Sequence, residues 1–185
     1  MGCNKALLPV EGVPLIQRLA HLLEPITDQV FISANDPAPY AFLGLPVLSD
    51  IHAGQGPLAG LHAAMIRCDR PVMLLLACDL PCVQEPLLRK LIAEIDAQDA
   101  VIPMTSDSRV HPLCAVYRRT CFPAIEQNLI EGKNKMTDVF KTNSLRVRYL
   151  SSERGGFSDD ELCNLNHPED LRILRERCSR VRSHI

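Results

Sequence analysis

The sequence predicts an α/β fold: a doubly wound, mostly parallel sheet with helices on both faces in three layers. Strand-like apolar segments alternate with helical segments of about ten residues, which is the pattern of crossover connections between parallel strands. Residues 71–79 are apolar on both faces, which is typical of a strand covered by helices on each side. The length of 185 residues fits one domain, so we treat residues 1–185 as a single unit.

Each element is predicted from the spacing of apolar residues and from the turn residues that bound it. We expect helices over residues 13–23, 57–68, 85–97, 120–130 and 168–180. We expect strands over residues 29–34, 46–48, 71–79, 100–103, 112–117 and 145–150. Pro14 and Pro168 stand where they can open their helices, because the fixed backbone angle of proline suits the first helical turn.

Composition excludes several classes of partner. The formal net charge is −2, Trp is absent and aromatic residues make up 4%, so neither nucleic acid nor an acidic membrane surface is expected. No apolar run approaches the ~18 residues of a membrane span. The eight cysteines form no C-x-x-C pair and several lie in apolar runs, so we expect free thiols in a reducing cytoplasm.

Polar side chains follow three of the predicted strands at the point where each strand ends. These residues are Asn35, Asp50 and Asp79. Asn and Asp are common at strand exits for turn formation alone. Ligands of open parallel sheets bind beyond the carboxyl ends of the strands, however, so three such residues at one edge favour a ligand site.

Of the three candidates, Asp79 has the sequence context that points most specifically to a ligand site. It follows the most apolar strand and precedes Leu80-Pro81, where the proline fixes the chain as it leaves the sheet. An ionised and largely desolvated carboxylate at this place is poorly stable unless a cation joins it. Mg²⁺ suits the position, because it is usually held by one or two carboxylates together with phosphates and water.

Two further features have both an ordinary and a functional interpretation. Lys5 is either a surface residue or a cation that neutralises a triphosphate. The segment 56–60, with Gly56, Pro57 and Leu58 at its start, either packs a helix or brings backbone close to a nucleobase. Spacing alone leaves both alternatives open.

Taken together, these segments resemble the molybdenum cofactor guanylyltransferase family. The matching segments occur in the family's order over nearly the whole chain: Met1-Gly2, Lys5-Ala6-Leu7-Leu8, Ser33-Ala34-Asn35, Ser49-Asp50, Gly56-Pro57-Leu58-Ala59-Gly60, Cys78-Asp79-Leu80-Pro81, His111-Pro112 and Asn164-Leu165-Asn166-His167-Pro168-Glu169-Asp170. Their combined order is far more specific than any one of them.

The resemblance implies an enzyme that transfers GMP from GTP to Mo-molybdopterin and releases pyrophosphate. It implies that Lys5, Asn35, Asp50 and Asp79 contact GTP, that Asp79 holds Mg²⁺, and that molybdoenzymes or cofactor chaperones receive the product. The 164–166 segment, with Asn164 and Asn166, is either directed toward the pterin or simply leads into a helix started by proline. His21, His62 and His111 are expected to be packing or surface residues.

Three alternatives stay open. A related cytidylyltransferase acts on the same pterin, although the 56–60 segment and the Asp79 turn look like the guanine-specific branch. A non-catalytic cofactor carrier or chaperone would keep the fold without the transfer step, and a nucleotidyltransferase for a sugar phosphate would share the metal-binding acid. The family's opening strand and glycine-rich loop would lie ahead of Met1, so we expect the chain as given to be incomplete, with low or no turnover.

Overall fold

The computed structural model describes residues 4–141 and 144–165, which form strands, α-helices and short 3₁₀ turns. The strands are β1 (Pro9–Val10), β2 (Val13–Pro14), β3 (Ile32–Ser33), β4 (Val47–Leu48), β5 (Val72–Leu76), β6 (Ala100–Met104), β7 (Cys114–Arg118) and β8 (Val147–Ser151). The α-helices are α1 (Leu15–Leu23), α2 (Gly56–Arg67), α3 (Glu85–Ala93), α4 (Phe122–Ile130) and α5 (Ser152–Gly155). The 3₁₀ turns are Lys5–Leu7, Ala38–Leu43, Arg119–Cys121, Met136–Lys141 and Asp159–Leu162.

The central sheet has four strands in the order β5-β7-β6-β8. Strand β7 is antiparallel to β5 and β6, whereas β8 is parallel to β6. Strands β5, β6 and β8 therefore point the same way, which confirms the mostly parallel sheet. Strands β3 and β4 form a separate parallel pair, and β1 and β2 form a short antiparallel hairpin that the sequence did not predict.

Alternation along the strands creates the three layers. In β6 the side chain of Val101 belongs to one apolar cluster, whereas Ala100 and Ile102 belong to another. Because successive strand residues point to opposite faces, the two clusters lie on opposite sides of the sheet. The first contains Leu15 and Leu19 of α1 with Leu87, Leu88 and Leu91 of α3. The second contains Leu58, Leu61 and Met65 of α2 with Ile125 and Leu129 of α4. The three-layer α/β prediction is confirmed.

Several boundaries differ from those expected. Strand β3 has two residues where six were expected, and α3 ends at Ala93 rather than at residue 97. Strand β5 is only partly buried along its whole length, because within the described residues it lies at the edge of the sheet and pairs with β7 alone. The predicted helix over residues 168–180 lies outside the described residues.

The cysteine prediction is largely confirmed. Free thiols are present at Cys68, Cys78, Cys114, Cys121 and Cys163. The prediction is wrong for Cys82, which is disulfide-bonded. Its side chain is fully buried beside the Asp79 turn, a setting that composition alone does not reveal. Among the helices of the described residues, none has both the length and the apolar character needed to span a membrane.

Candidate active site

Asp79 lies beyond the carboxyl end of β5, at the end of a turn fixed by buried neighbours. Leu80 is 2% exposed and Cys82 is fully buried, so the residues that follow the carboxylate return directly into the core. The apolar strand before Asp79 and the apolar residues after it hold the acid at the sheet edge. This is the position that the sequence predicted.

Only one oxygen of the Asp79 carboxylate has a partner among the residues that the structure describes. Asn164 Nδ2 donates to Asp79 Oδ2 over 3.0 Å, and the backbone N–H of Leu165 donates to the Asp79 carbonyl over 2.7 Å. Asp79 Oδ1 is buried and accepts no hydrogen bond within the described residues. A buried carboxylate oxygen without a partner is costly, and a bound cation would remove that cost. The site therefore fits a hard divalent cation held by one carboxylate.

No group of three or more His, Cys, Asp or Glu side chains within residues 4–141 and 144–165 could hold a metal ion. Among the described residues, Asp79 is therefore not part of a metal site formed by several protein ligands. Mg²⁺ is commonly held by one or two carboxylates, with substrate phosphates and water completing its octahedral shell. A single acid beside a cavity is compatible with this arrangement.

A cavity of about 360 Å³ opens beside Asp79. Its lining includes Pro57, Ala77, Asp79, Leu80 and Asn164 together with the segments 109–114 and 134–137. Arg109 and Lys135 both line it, and neither forms an ion pair with a described residue. The lining thus combines one acid with two cations that are unpaired among the described residues, which suits a ligand carrying several negative charges.

His111 also lines this cavity, although the sequence assigned it no role beyond packing. Its Nε2 atom is buried and has no partner within the described residues. Burial lowers the pKa of His111, and the nearby Arg109 guanidinium lowers it further. The imidazole is therefore neutral near pH 7 and offers a hydrogen bond rather than a charge.

Asn35 and Asp50 form a reciprocal pair beyond the ends of β3 and β4. Asn35 Nδ2 donates to Asp50 Oδ2 over 3.0 Å, and the Asp50 backbone N–H donates to Asn35 Oδ1 over 2.9 Å. The parallel register of β3 and β4, in which Ser33 faces Leu48, brings the two residues together. The predicted juxtaposition of these two residues is present in the structure.

Helix α2 joins this pair to the Asp79 cavity. A Cβ atom at Gly60 would lie 2.3 Å from Ser33 Oγ and 3.6 Å from Asp50 Oδ1, so only glycine lets the helix approach so closely. One helical turn earlier, or about 5 Å along the axis, Pro57 lines the cavity. The N-terminal part of α2 therefore contacts both the Asn35–Asp50 pair, through Gly60, and the Asp79 cavity, through Pro57.

The segment predicted to approach a nucleobase is divided between surface and core. Gly56 has a φ of +65°, a backbone conformation that favours glycine, and both Gly56 and Pro57 are exposed. Leu58 is fully buried in the core. A base at this position would meet the first two residues and not the third.

Lys5 lies within electrostatic reach of the Asp79 turn. The pKa of the neighbouring Cys78 thiol is raised, chiefly by desolvation and then by the Asp79 carboxylate, whereas the Lys5 ammonium lowers it. Lys5 forms no ion pair with a described residue, so its charge is available to a ligand. Asn166, the second asparagine of the predicted pterin side, lies outside the described residues.

Sequence reasoning missed Arg109 and Lys135. Both are exposed basic residues in loops, and their sequence neighbourhood does not distinguish them from other surface cations. For Arg109, the one indication in the sequence was the His111-Pro112 pair that follows it by two residues. Nothing in the sequence near Lys135 indicates that it lines the same cavity as Asp79.

The fold and this site define a class of protein: an α/β domain with a polar cavity beyond the carboxyl end of a strand of its central sheet. The family model described as the MobA-like NTP transferase domain matches residues 1–147, and the chain belongs to that family. It is a nucleotidyltransferase of the molybdenum cofactor guanylyltransferase type.

Relatives and a solved structure agree with this assignment. The chain is 36% identical over 182 residues to the probable molybdenum cofactor guanylyltransferase of Pelotomaculum thermopropionicum, covering 95% of this chain and 87% of the relative. It is 33% identical over 175 residues to the corresponding protein of Carboxydothermus hydrogenoformans, covering 94% and 88%. The crystal structure of molybdopterin-guanine dinucleotide biosynthesis protein A from Archaeoglobus fulgidus superposes with a TM-score of 0.78 at 26% identity, covering 97% of this chain and 92% of that one.

Proposed function

We propose that this protein transfers GMP from GTP to Mo-molybdopterin, yielding Mo-molybdopterin guanine dinucleotide and pyrophosphate. The relatives named above carry the corresponding activity in their names. The observation that supports the proposal most strongly is the Asp79 carboxylate, which borders a cavity of about 360 Å³ with one buried oxygen unpartnered among the described residues.

The proposed reaction is an in-line displacement at the α-phosphorus of GTP. A terminal phosphate oxygen of the pterin substrate forms the new bond to phosphorus, while the bond to the bridging β-phosphate oxygen breaks and pyrophosphate leaves with its electron pair. The nucleophile is already an anion, so the reaction needs no general base. Alignment and neutralisation of charge then supply the catalysis.

Each part of the site has a role in this scheme. Asp79 would hold Mg²⁺, which when bound withdraws charge from the phosphates of the nucleotide. Lys5 would neutralise the triphosphate, and the hydrogen-bonded Asn35–Asp50 pair would meet the nucleoside. Gly56 and Pro57 begin helix α2, whose Gly60 packs beside that pair, and would contact the guanine base.

The acceptor would occupy the part of the cavity lined by Arg109 and Lys135. Neither side chain forms an ion pair with a described residue, so both are suited to the phosphate of the pterin substrate. Asn164, which is held against Asp79, would lie between the donor and the acceptor. We extend the same assignment to Asn166 on the resemblance alone.

Calorimetric titration of the full chain tests this proposal. We expect Mg²⁺-dependent binding of GTP with an affinity at least tenfold above that of CTP, and loss of the metal-dependent part in Asp79→Ala. Tighter binding of CTP would instead indicate a cytidylyltransferase. Binding of the pterin without any binding of nucleotide would indicate a cofactor carrier and would overturn the proposal.

A further inference from the structure

Glu161 is an unusual residue for a buried position. It is 5% exposed, although glutamate is rarely buried unless a cation pairs with it. Within the described residues no Lys, Arg or His forms an ion pair with its carboxylate. Instead, both oxygens accept backbone hydrogen bonds: Ser158 N–H donates to Oε1 over 3.2 Å and Gln84 N–H donates to Oε2 over 3.1 Å.

The two bonds serve different parts of the chain. Ser158 stands at the start of the 3₁₀ turn Asp159–Leu162, and its bond to Glu161 is half of a local capping box. Gln84 lies 77 residues away, at the N-terminal cap of α3. One carboxylate therefore fastens the 3₁₀ turn to the chain that leaves the Asp79 turn.

Each of the two fastened segments carries one residue of the candidate site. Asp79 is five positions before Gln84, and Asn164 is three positions after Glu161. The same segments meet again where Asn164 donates to Asp79 Oδ2 over 3.0 Å and Leu165 N–H donates to the Asp79 carbonyl over 2.7 Å. The Glu161 bond to Gln84 and the Leu165 bond to Asp79 thus hold Asn164 from both ends.

We propose that Glu161 is a positioning residue of the transfer reaction, whose bond to Gln84 sets the place of Asn164 against Asp79. The inference rests on the proposed function, because Asp79 and Asn164 matter for catalysis only if nucleotide transfer occurs at this cavity. A purely local capping role would need only the Ser158 bond. The bond from Gln84 joins the turn to a distant segment that carries Asp79, and capping alone does not require it.

The test uses steady-state kinetics of the full chain with GTP and Mo-molybdopterin. Glu161→Gln keeps the size of the side chain but places an NH₂ donor against one of the two N–H groups, so one of the two bonds is lost. We expect kcat to fall about 10- to 100-fold, the effect of a displaced group at a reacting centre. KM for GTP should stay within twofold, because the Asn35–Asp50 pair and α2 are untouched.

Matched variants separate positioning from stability. Ser158→Ala removes the hydroxyl that accepts from Asp160 N–H over 3.2 Å but keeps the Gln84 bond, and Glu153→Gln makes the same chemical change at an exposed position. Both should keep kcat within about threefold of the unmodified chain. If Ser158→Ala lowers kcat as much as Glu161→Gln, the turn is merely a structural element and the inference is wrong.

A double-variant cycle identifies the route of the effect. If Glu161 acts through Asn164, then Glu161→Gln should cause no further loss in an Asn164→Ala background. Fully multiplicative losses would contradict the inference. An unmodified chain that binds no nucleotide and transfers none would refute the proposed function itself, whereas an active chain insensitive to Glu161→Gln would refute only the positioning role.

Discussion

Two acids at opposite edges of the sheet show how differently the fold treats a carboxylate. Asp99 directly precedes β6, and Asp79 follows β5, which runs in the same direction, so one lies at the amino edge and the other at the carboxyl edge. Asp99 is 6% exposed and both of its oxygens are bonded. Thr120 Oγ1 donates to Oδ1 over 2.6 Å, and Arg146 N–H donates to Oδ2 over 2.8 Å. Asp79 has a partner for only one oxygen among the described residues.

The difference separates an acid that stabilises the fold from one available to a ligand. Asp99 joins β6 to the residue before β8 and to the start of α4, and its bonds satisfy the buried charge. Asp79 keeps an unsatisfied oxygen beside a cavity, which lowers stability until a cation binds. Substitution should therefore cost function at the carboxyl edge, at Asp79, and stability at the amino edge, at Asp99.

Asp79→Asn should produce the largest effect. We expect the rate of GMP transfer to fall at least about 100-fold, roughly 3 kcal/mol in activation free energy, because the group that organises the phosphate charge is lost. The free energy of unfolding should stay equal or rise, since a buried charge without a full set of partners has been removed. Pyrophosphate release and urea denaturation measure the two quantities. A loss of stability larger than about 1 kcal/mol would contradict the distinction between the two acids.

Asp99→Asn should give the opposite result. The amide leaves either Thr120 or the Arg146 N–H without its charged acceptor. We therefore expect the free energy of unfolding to be about 2 to 3 kcal/mol lower than in the unmodified chain. Nucleotide affinity should be unchanged, since the substitution lies at the far edge of the sheet. Asp96→Asn, at an exposed position nearby, should change stability by less than about 0.5 kcal/mol. Weakened GTP binding in Asp99→Asn would show that the two edges are coupled.

Gly60→Ala tests a position that should affect both quantities. The added Cβ would meet Ser33 Oγ at 2.3 Å and must push α2 away from β3. We expect a loss of about 2 kcal/mol in unfolding free energy, from overpacking, together with weaker GTP binding because the Asn35–Asp50 pair moves. Ser33→Ala should recover part of both losses, since the remaining contact, to Ser33 Cβ, is 3.3 Å. Equal losses in Gly60→Ala alone and in Gly60→Ala combined with Ser33→Ala would show that this clash is not the cause.

Local patterns were sufficient to predict the fold class and the Asp79 edge. Strand β6 and helix α2 follow from apolar spacing, and Asp79 follows from the contrast between an apolar strand and the polar residue beyond it. Arg109, Lys135 and Glu161 could not be found this way, because their roles depend on contacts between segments distant in sequence. The Gln84–Glu161 bond joins residues 77 positions apart, so the spacing of neighbouring residues in the sequence does not indicate it.

The pH dependence of stability should be the smallest effect and the most specific to Asp99. The hydrogen bond from Thr120, followed by that from the Arg146 backbone, holds the pKa of Asp99 below its usual range. A depressed acid contributes stability that is present above the unfolded value of about 3.9 and is lost as the pH falls through the folded pKa. Between roughly pH 5 and pH 2, the unmodified chain should therefore lose stability faster than Asp99→Asn, so that the two unfolding free energies converge. Other acids with depressed pKa values, such as Asp138, are common to both chains and cancel in the difference. Parallel curves over that range would show that Asp99 does not gain its stability as a charged, hydrogen-bonded acceptor.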